Sequence, residues 1–460
     1  MATSNGRIPY HSKIVRYRAV VAHTLRQYLR HTHAPKILLT GYAAYMLIGW
    51  GLLSLPFAQS VELNPLDSLF IAVSAVSTTG LVSIDPGSSY SLFGEIVVLL
   101  LIQAGGLGYM TVASFVALAI RHRFSNYHAT VGLAAFPLPQ DFDIEVFIRR
   151  VVIYTIAVEV AGAALLFLMF ESAGTQSALW AAIFHSISAF CTAGFSLFPT
   201  SFESYVDNPG IVLVISVLSF LGAIGFIVMS ELWDRVFGAR RPLSFTSTVI
   251  LSVTVNFTVL GTLVFFVIEP SIAEMPPWER LLAAFFQVMT AGTTVGFNTI
   301  PIGALAPATL MVMFLLMIFG ASPSGTGGGL KSTTLAVLLG LIRSVLQRRK
   351  TVRYMGRDLP QERVMFGAAS LGFYLLVLGT AMFLLLLTET GRFEVILFEA
   401  ISALGTVGLS MGITPDLTPV GKIVVILLMF IGRIGVLTFG IAVVTRDDTS
   451  GDQRENEIVL

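Results

Sequence analysis

The stretch Thr293-Thr294-Val295-Gly296-Phe297 closes a short apolar piece, Pro277–Thr293, and precedes a long hydrophobic run. Its core is Thr-x-Gly followed by Leu or Phe. The same pattern recurs as Thr78-Thr79-Gly80-Leu81, Thr192-Ala193-Gly194-Phe195 and Thr406-Val407-Gly408-Leu409. Successive glycines are 114, 102 and 112 residues apart. One such tripeptide would carry no information; four at near-even spacing, each after a short helix-compatible piece and before a long apolar run, read as four copies of one unit.

Working outward, the other short pieces are Pro65–Ser77, Ser177–Cys191 and Glu394–Gly405. Each is too short to cross roughly 30 Å of hydrocarbon as a helix, which suits a re-entrant half-helix; an interfacial surface helix is the alternative. Around them lie eight apolar runs, at about 37–58, 90–120, 147–170, 208–236, 245–268, 305–345, 364–388 and 420–445. With 55% apolar and 12% charged residues in a chain of 460, and a mean hydropathy of +0.82, a soluble globule is excluded.

The expected class is an all-α polytopic membrane protein with four tandem helix–pore-loop–helix repeats, eight full spans and four half-helices around a single pore. Its boundaries are an N-terminal tail 1–36, repeats 37–123, 147–236, 245–348 and 363–446, and a C-terminal tail 447–460. Each unit holds two spans, so every copy inserts in the same orientation and the four can surround one axis. Charge sets the orientation. Residues 1–36 contain Arg7, Lys13, Arg16, Arg18, Arg26, Arg30 and Lys36 and no acid, a positive-inside signal rather than a nucleic-acid patch. Arg121, Arg123, Arg149, Arg150, Arg235, Arg240, Arg241 and the run Arg343 to Arg363 mark further inner loops, whereas Glu62, Asp85, Glu171, Glu203, Asp207, Glu269, Glu274 and Asp416 mark outer ones. Both termini are expected in the cytoplasm.

The chemistry of the repeat follows from its backbone. A monovalent cation entering a narrow pore sheds water, and rings of carbonyl oxygens replace that water without a fixed charge. Carbonyls that all face one axis require a backbone outside ordinary β geometry, which glycine enters at little steric cost. The half-helices end just before these turns, so the negative ends of their dipoles face a cation.

These features resemble the Trk/Ktr/HKT superfamily of potassium transporters, and Thr293-Thr294-Val295-Gly296-Phe297 looks like a potassium-channel filter. The similarity spans about residues 37–446 and is greatest to the membrane subunit of bacterial Ktr systems. TrkH-type chains have two additional N-terminal helices that the polar residues 1–36 cannot supply. The resemblance implies a K+ selectivity filter made of Thr78, Thr79, Gly80, Thr192, Ala193, Gly194, Thr294, Val295, Gly296, Thr406, Val407 and Gly408, with K+ held by backbone carbonyls. Sodium-selective plant relatives carry serine at the position of Gly80, so glycine here favours potassium. It further implies a homodimer with one pore per protomer, a cytosolic ring of nucleotide-binding domains of the KtrA type, a bacterial inner-membrane location, and no cofactor besides the transported K+.

The sixth apolar run is interrupted by Gly320-Ala321-Ser322-Pro323-Ser324-Gly325-Thr326-Gly327-Gly328-Gly329-Leu330-Lys331. A helix cannot persist through so many glycines and a proline, and non-helical backbone at membrane depth is tolerated only where it is buried in protein or lines a wet cavity. The expectation is a flexible gating loop, 320–331, beneath the filter, with Gly320, Ser322, Gly325, Gly327, Gly328, Gly329 and Lys331 as its gating residues; Ktr-like proteins have such a loop at the matching place. A phosphate-binding reading fails because Leu330 stands where the P-loop requires glycine before the lysine. Arg433, inside the last run, either faces the pore, as its family counterpart does in gating, or snorkels to the inner surface.

His185 and Glu399 are expected as hydrogen-bonded supports behind the filter, Asn298 and Ser410 as candidates for the outer mouth, and Cys191 as packing. Glu159 requires a buried partner that the sequence does not identify. The basic loop Arg343–Arg363 fits a partner surface, membrane lipids or simple topology. No HExxH and no aspartate pair supports an intramembrane enzyme; a sodium-selective transporter of the same fold is the alternative.

Overall fold

The computed structural model describes residues 34–108, 144–238 and 242–444. The tails 1–33 and 445–460, and the basic residues Arg121, Arg123, Arg240 and Arg241, lie outside the described residues, as does the second half of the expected run 90–120.

The described chain is mostly helical, with one small hairpin. A long helix α1 (Ala34–Leu53) is followed by a short α2 (Pro65–Val76) and by α3 (Leu92–Gly106). Next come α4 (Ile144–Ser172), the short α5 (Ala178–Phe190), and α6 (Pro209–Ala223) with α7 (Phe226–Phe237). The third set is α8 (Phe245–Ile268), α9 (Pro277–Thr293), α10 (Pro307–Phe319) and α11 (Ser332–Leu346). The last is α12 (Gln361–Thr388), α13 (Phe393–Gly405), α14 (Pro419–Ile434) and α15 (Val436–Val444). Helix starts are written locally: proline occupies the first turn of α2, α6, α9, α10 and α14, where its missing N–H costs nothing. Asn64, Ser91, Asn208 and Thr418 cap α2, α3, α6 and α14 with side-chain oxygens.

Packing closes these elements into a cycle. Helix α3 rests on α5, α6 on α9, α10 on α13, and α14 returns to α2. Two polar clasps occupy matching places at the joints that flank the first set. Lys422, in the first turn of α14, pairs with Asp67 of α2 at 2.7 Å; Glu95, in the first turn of α3, accepts from the Trp180 indole of α5 at 2.5 Å. The other two joints are apolar, as in the contact of Phe314 with Phe398. A second internal equivalence holds the outer ends. Glu269, just after α8, accepts from the Ala306 amide at the start of α10, and Glu389, just after α12, accepts from the Thr418 amide at the start of α14.

Of the eight expected spans, the sixth was expected to be interrupted at 320–331, and the long helices and two bent pairs bear on the others. Among the described residues, four helices are long and apolar enough to cross a membrane: Pro35–Leu53, Arg149–Ser172, Phe245–Ile268 and Gln361–Thr388. The pair α6 and α7 bends by 100°, and α14 and α15 by 96°. Both bends fall at glycines of positive φ, Gly225 (+98°) and Gly435 (+92°). The physical cause of the first is a neighbour. A Cβ on Gly225 would lie 2.4 Å from the carbonyl oxygen of Pro323, and the Phe226 amide donates to the Ser324 carbonyl at 3.1 Å. Helix α6 breaks where the non-helical segment 320–331 meets it.

The hairpin departs from a strictly all-α class. Strands β1 (Arg353–Tyr354) and β2 (Arg357–Asp358) pair through a turn in which Met355 and Gly356 have φ of +46° and +79°, a handedness that matches strand twist. It orders part of the basic loop: Arg353 is bonded to Asp358 at 2.5 Å, which holds that carboxyl below its ordinary range, and the Arg357 guanidinium lies over Phe245.

Candidate functional site

The four Thr-x-Gly turns share one backbone. Thr78, Thr192, Thr294 and Thr406 have φ between +49° and +58°, and Gly80, Gly194, Gly296 and Gly408 between +66° and +91°. The sequence pattern anticipated the glycines but not the threonines. A β-branched residue at positive φ is a genuine outlier, costing on the order of 1–3 kcal/mol, and it recurs in all four copies. Left-handed residues on either side of an ordinary one turn successive carbonyls towards the same side. Two bonds hold each turn: the threonine amide donates three residues back, to Ala75, Ala189, Ala291 or Ala403, and the next amide donates five back, to Ser74, Ser188, Thr290 or Ser402.

The turns meet in a closed ring. A Cβ on Gly80 would lie 2.5 Å from the Ala193 carbonyl oxygen; on Gly194, 2.2 Å from that of Val295; on Gly296, 2.2 Å from that of Val407; and on Gly408, 2.0 Å from that of Thr79. Each glycine therefore faces the carbonyl of the next copy and the fourth returns to the first. Thr79, Ala193, Val295 and Val407 are wholly buried behind this ring.

Support for each turn comes from the position nine residues before its glycine, held by Ile71, His185, Gln287 and Glu399. His185 Nδ1 lies 2.7 Å from the Ala181 carbonyl, and its Nε2 accepts from the Leu197 amide and meets Ser196 Oγ. Gln287 donates to Thr299 Oγ1 at 3.2 Å. Glu399 accepts from Ser410 at 2.8 Å and from Thr414 at 2.5 Å. One spoke thus ties the half-helix to the far end of three turns, and in the first copy the same position is the wholly buried, apolar Ile71. Asn298 is bonded to the outer loop of the preceding copy, donating to Glu203 at 2.7 Å; burial raises that carboxyl and the Asn298 bond opposes the rise. Replacing Glu399 with Leu would leave Ser410 and Thr414 without their common acceptor. The expected result is a severalfold loss of rubidium-over-sodium discrimination in liposome uptake, with full retention counting against a bracing role.

Beneath the ring lies the interrupted segment. Thr192 Oγ1 donates to Thr326 Oγ1 at 2.9 Å, Thr78 Oγ1 to the Thr326 carbonyl at 3.3 Å, and the Gly328 amide to Thr406 Oγ1 at 2.9 Å. A Cβ on Gly327 would lie 2.3 Å from Thr294 Oγ1. All four ring threonines therefore touch three consecutive loop positions. The remaining candidates anchor the segment: Gly320 abuts the Gly292 carbonyl, Gly325 that of Ala223, and Gly329 the backbone of Gly405, while its amide donates to Gly432. Ser322 meets Ser332, and Lys331 is spent on the Gly327 carbonyl at 2.8 Å rather than left for a phosphate. These contacts pack the segment against α6, α9, α13 and α14. Thr326, at the centre, was missed by the sequence reading; the one β-branched residue among the glycines was its signal.

Arg433 lies in the interior. It donates to Thr78 Oγ1 at 2.8 Å and also to the carbonyls of Thr326 and Gly105. The guanidinium thus joins α14, the ring, the loop and the end of α3. Glu159 has the partner the sequence did not name, Gln103 of α3, at 3.2 Å.

The profile of the TrkH family, described as cation transport protein, matches residues 24–450. The chain belongs to that family. The Ktr system potassium uptake protein B of Bacillus subtilis is 34% identical over 414 residues, covering 88% of this chain and 92% of the relative. The potassium/sodium uptake protein NtpJ of Enterococcus hirae is 32% identical, covering 88% and 91%. The crystal structure of the potassium transporter TrkH from Vibrio parahaemolyticus matches with a TM-score of 0.65 at 21% identity, covering 88% of this chain and 85% of that one, a likeness of fold. As a member of the TrkH family the chain is a multi-pass membrane protein and a cation transporter, not an enzyme.

Proposed function

We propose that the chain is the ion-conducting subunit of a potassium uptake system, in which four helix–pore-loop–helix repeats with eight spans surround one pore and the Thr-x-Gly turns form its selectivity filter. The observation that carries this reading is the closed cycle of glycines and carbonyls described above. Carbonyl rings replace the hydration shell of a monovalent cation. The C-terminal ends of α2, α5, α9 and α13 stop at the turns, so their partial negative charge favours a cation there. The names of the Ktr relatives assign potassium to those proteins, which supports the same cargo here. Gly320–Lys331 and Arg433 close the pore from below, and conduction requires the loop to leave the four ring threonines.

The assembly we propose is a homodimer in a bacterial cell membrane, both termini inside, with a cytosolic KtrA-like ring on the inner face near the hairpin. The relatives' designation as components of a Ktr system supports a separate regulatory partner. Purified chain in liposomes tests the cargo: radioactive rubidium uptake should persist under excess sodium and stop under excess potassium. Equal competition by the two ions would replace this reading with a sodium-permeable one, which the dual name of NtpJ and the unequal spokes behind the ring favour.

Arg433→Ala should raise the initial uptake rate of the unstimulated subunit. Hydrogen bonds from a charged donor are worth roughly 1.5–3 kcal/mol, so losing the grip on the Thr326 carbonyl corresponds to a change of roughly ten- to a hundredfold. A rate equal to the parent's would leave Arg433 with a packing role.

A further inference from the structure

The proposed gate uses Arg433 but leaves unexplained a polar cluster behind it. Glu159, near the middle of α4, is 7% exposed and lies among apolar helices. A carboxyl group at such depth is costly unless its partners serve a purpose. Gln103 Nε2 donates to Glu159 Oε2 at 3.2 Å, while the Cys191 thiol lies 3.6 Å from Gln103 Oε1 and 3.9 Å from Glu159 Oε1. The Glu159 backbone is fixed as well, because Ser186 Oγ donates to its carbonyl at 2.7 Å.

Three helices therefore converge on one side chain: α4 through Glu159, α3 through Gln103, and the end of α5 through Cys191, the residue before Thr192 of the ring. Two residues beyond Gln103, Gly105 offers its carbonyl to Arg433. Gly106 is pressed so closely to Cys191 that a Cβ there would lie 2.5 Å from the sulfur. The end of α3 is thus held on one side by the cluster and gripped on the other by the guanidinium.

We infer that Glu159 is a positioning residue for the gate: through Gln103 it seats the end of α3 against α5, and so presents the Gly105 carbonyl that keeps Arg433 over the loop. This rests on the gating role proposed for Arg433. The seating itself is a separate property, open to direct measurement. Glu159→Gln preserves a carbonyl acceptor for Gln103 and stays close to the parent, whereas Glu159→Leu removes the acceptor and frees the end of α3.

Cys191 is the sole cysteine of the chain and is wholly buried in the cluster, so it reports the seating without engineering. The experiment labels the purified full chain in liposomes with a small water-soluble maleimide and measures rubidium influx in parallel. For Glu159→Leu we expect labelling at Cys191 at least severalfold faster than in the parent and Glu159→Gln, with faster unstimulated influx. In the Glu159→Leu, Arg433→Ala double variant, influx should not exceed that of Arg433→Ala alone, because both changes release one contact. Parent-level labelling of Glu159→Leu would overturn the inference, and so would equal gains from the Gln and Leu variants or multiplicative influx in the double variant. Should Arg433→Ala leave influx unchanged, the gating role falls, and labelling of Cys191 still decides whether Glu159 seats α3.

Discussion

Gly296→Ser should abolish most of the discrimination between rubidium and sodium while leaving the subunit folded. The residue has a φ of +86°, where an L side chain costs roughly 1–2 kcal/mol. Its Cβ would lie 2.2 Å from the Val407 carbonyl oxygen and 3.1 Å from the Gly408 Cα, so the neighbouring turn must retreat. Both are backbone atoms that cannot rotate away. Retreat widens the ring and turns a carbonyl off the axis, and each 1.4 kcal/mol lost from coordination is a factor of ten in selectivity. The rubidium-to-sodium uptake ratio should fall by at least about tenfold. An unaltered ratio would detach the ring from selectivity.

Deletion of Ser324–Gly329 is expected to have the opposite sign, a large gain in flux. The segment removed contains Thr326, Gly327 and Gly328, which between them touch Thr78, Thr192, Thr294 and Thr406. Its flanks are already joined, since the Ser332 amide donates to the Ala321 carbonyl at 2.7 Å, so the shortened chain can close without separating α10 from α11. Arg433 also loses its acceptor on Thr326. Initial rubidium influx of the unstimulated subunit should rise by an order of magnitude or more. Equal or lower influx in a variant with parental thermal stability would show that the segment does not obstruct the path.

The repeat was readable in the sequence because its requirement is local: a glycine, a threonine two residues before it and a short apolar helix recur at Gly80, Gly194, Gly296 and Gly408. The same holds for the helix-breaking composition of 320–331. The positive φ of Thr78 and its equivalents was not readable, because β-branching argues against it and only the surrounding ring imposes it. The bends at Gly225 and Gly435 were hidden for a related reason. Apolar residues continue on both sides of each glycine, and the bend at Gly225 arises where a distant segment, 320–331, enters the same layer. Partnerships between elements far apart in sequence, such as Glu159 with Gln103 or Lys422 with Asp67, leave no local trace in composition or spacing. The common role of Ile71, His185, Gln287 and Glu399 was only half visible, since four dissimilar side chains share an offset rather than a chemistry.

A ring assembled from four identical subunits changes every wall when one codon changes. Here a single polypeptide supplies all the walls, and their backing already differs, apolar at Ile71, imidazole at His185, amide at Gln287 and carboxyl at Glu399. On the filter proposed above, natural variation would adjust ion preference one quadrant at a time, in small heritable steps, without forcing all four walls to change at once.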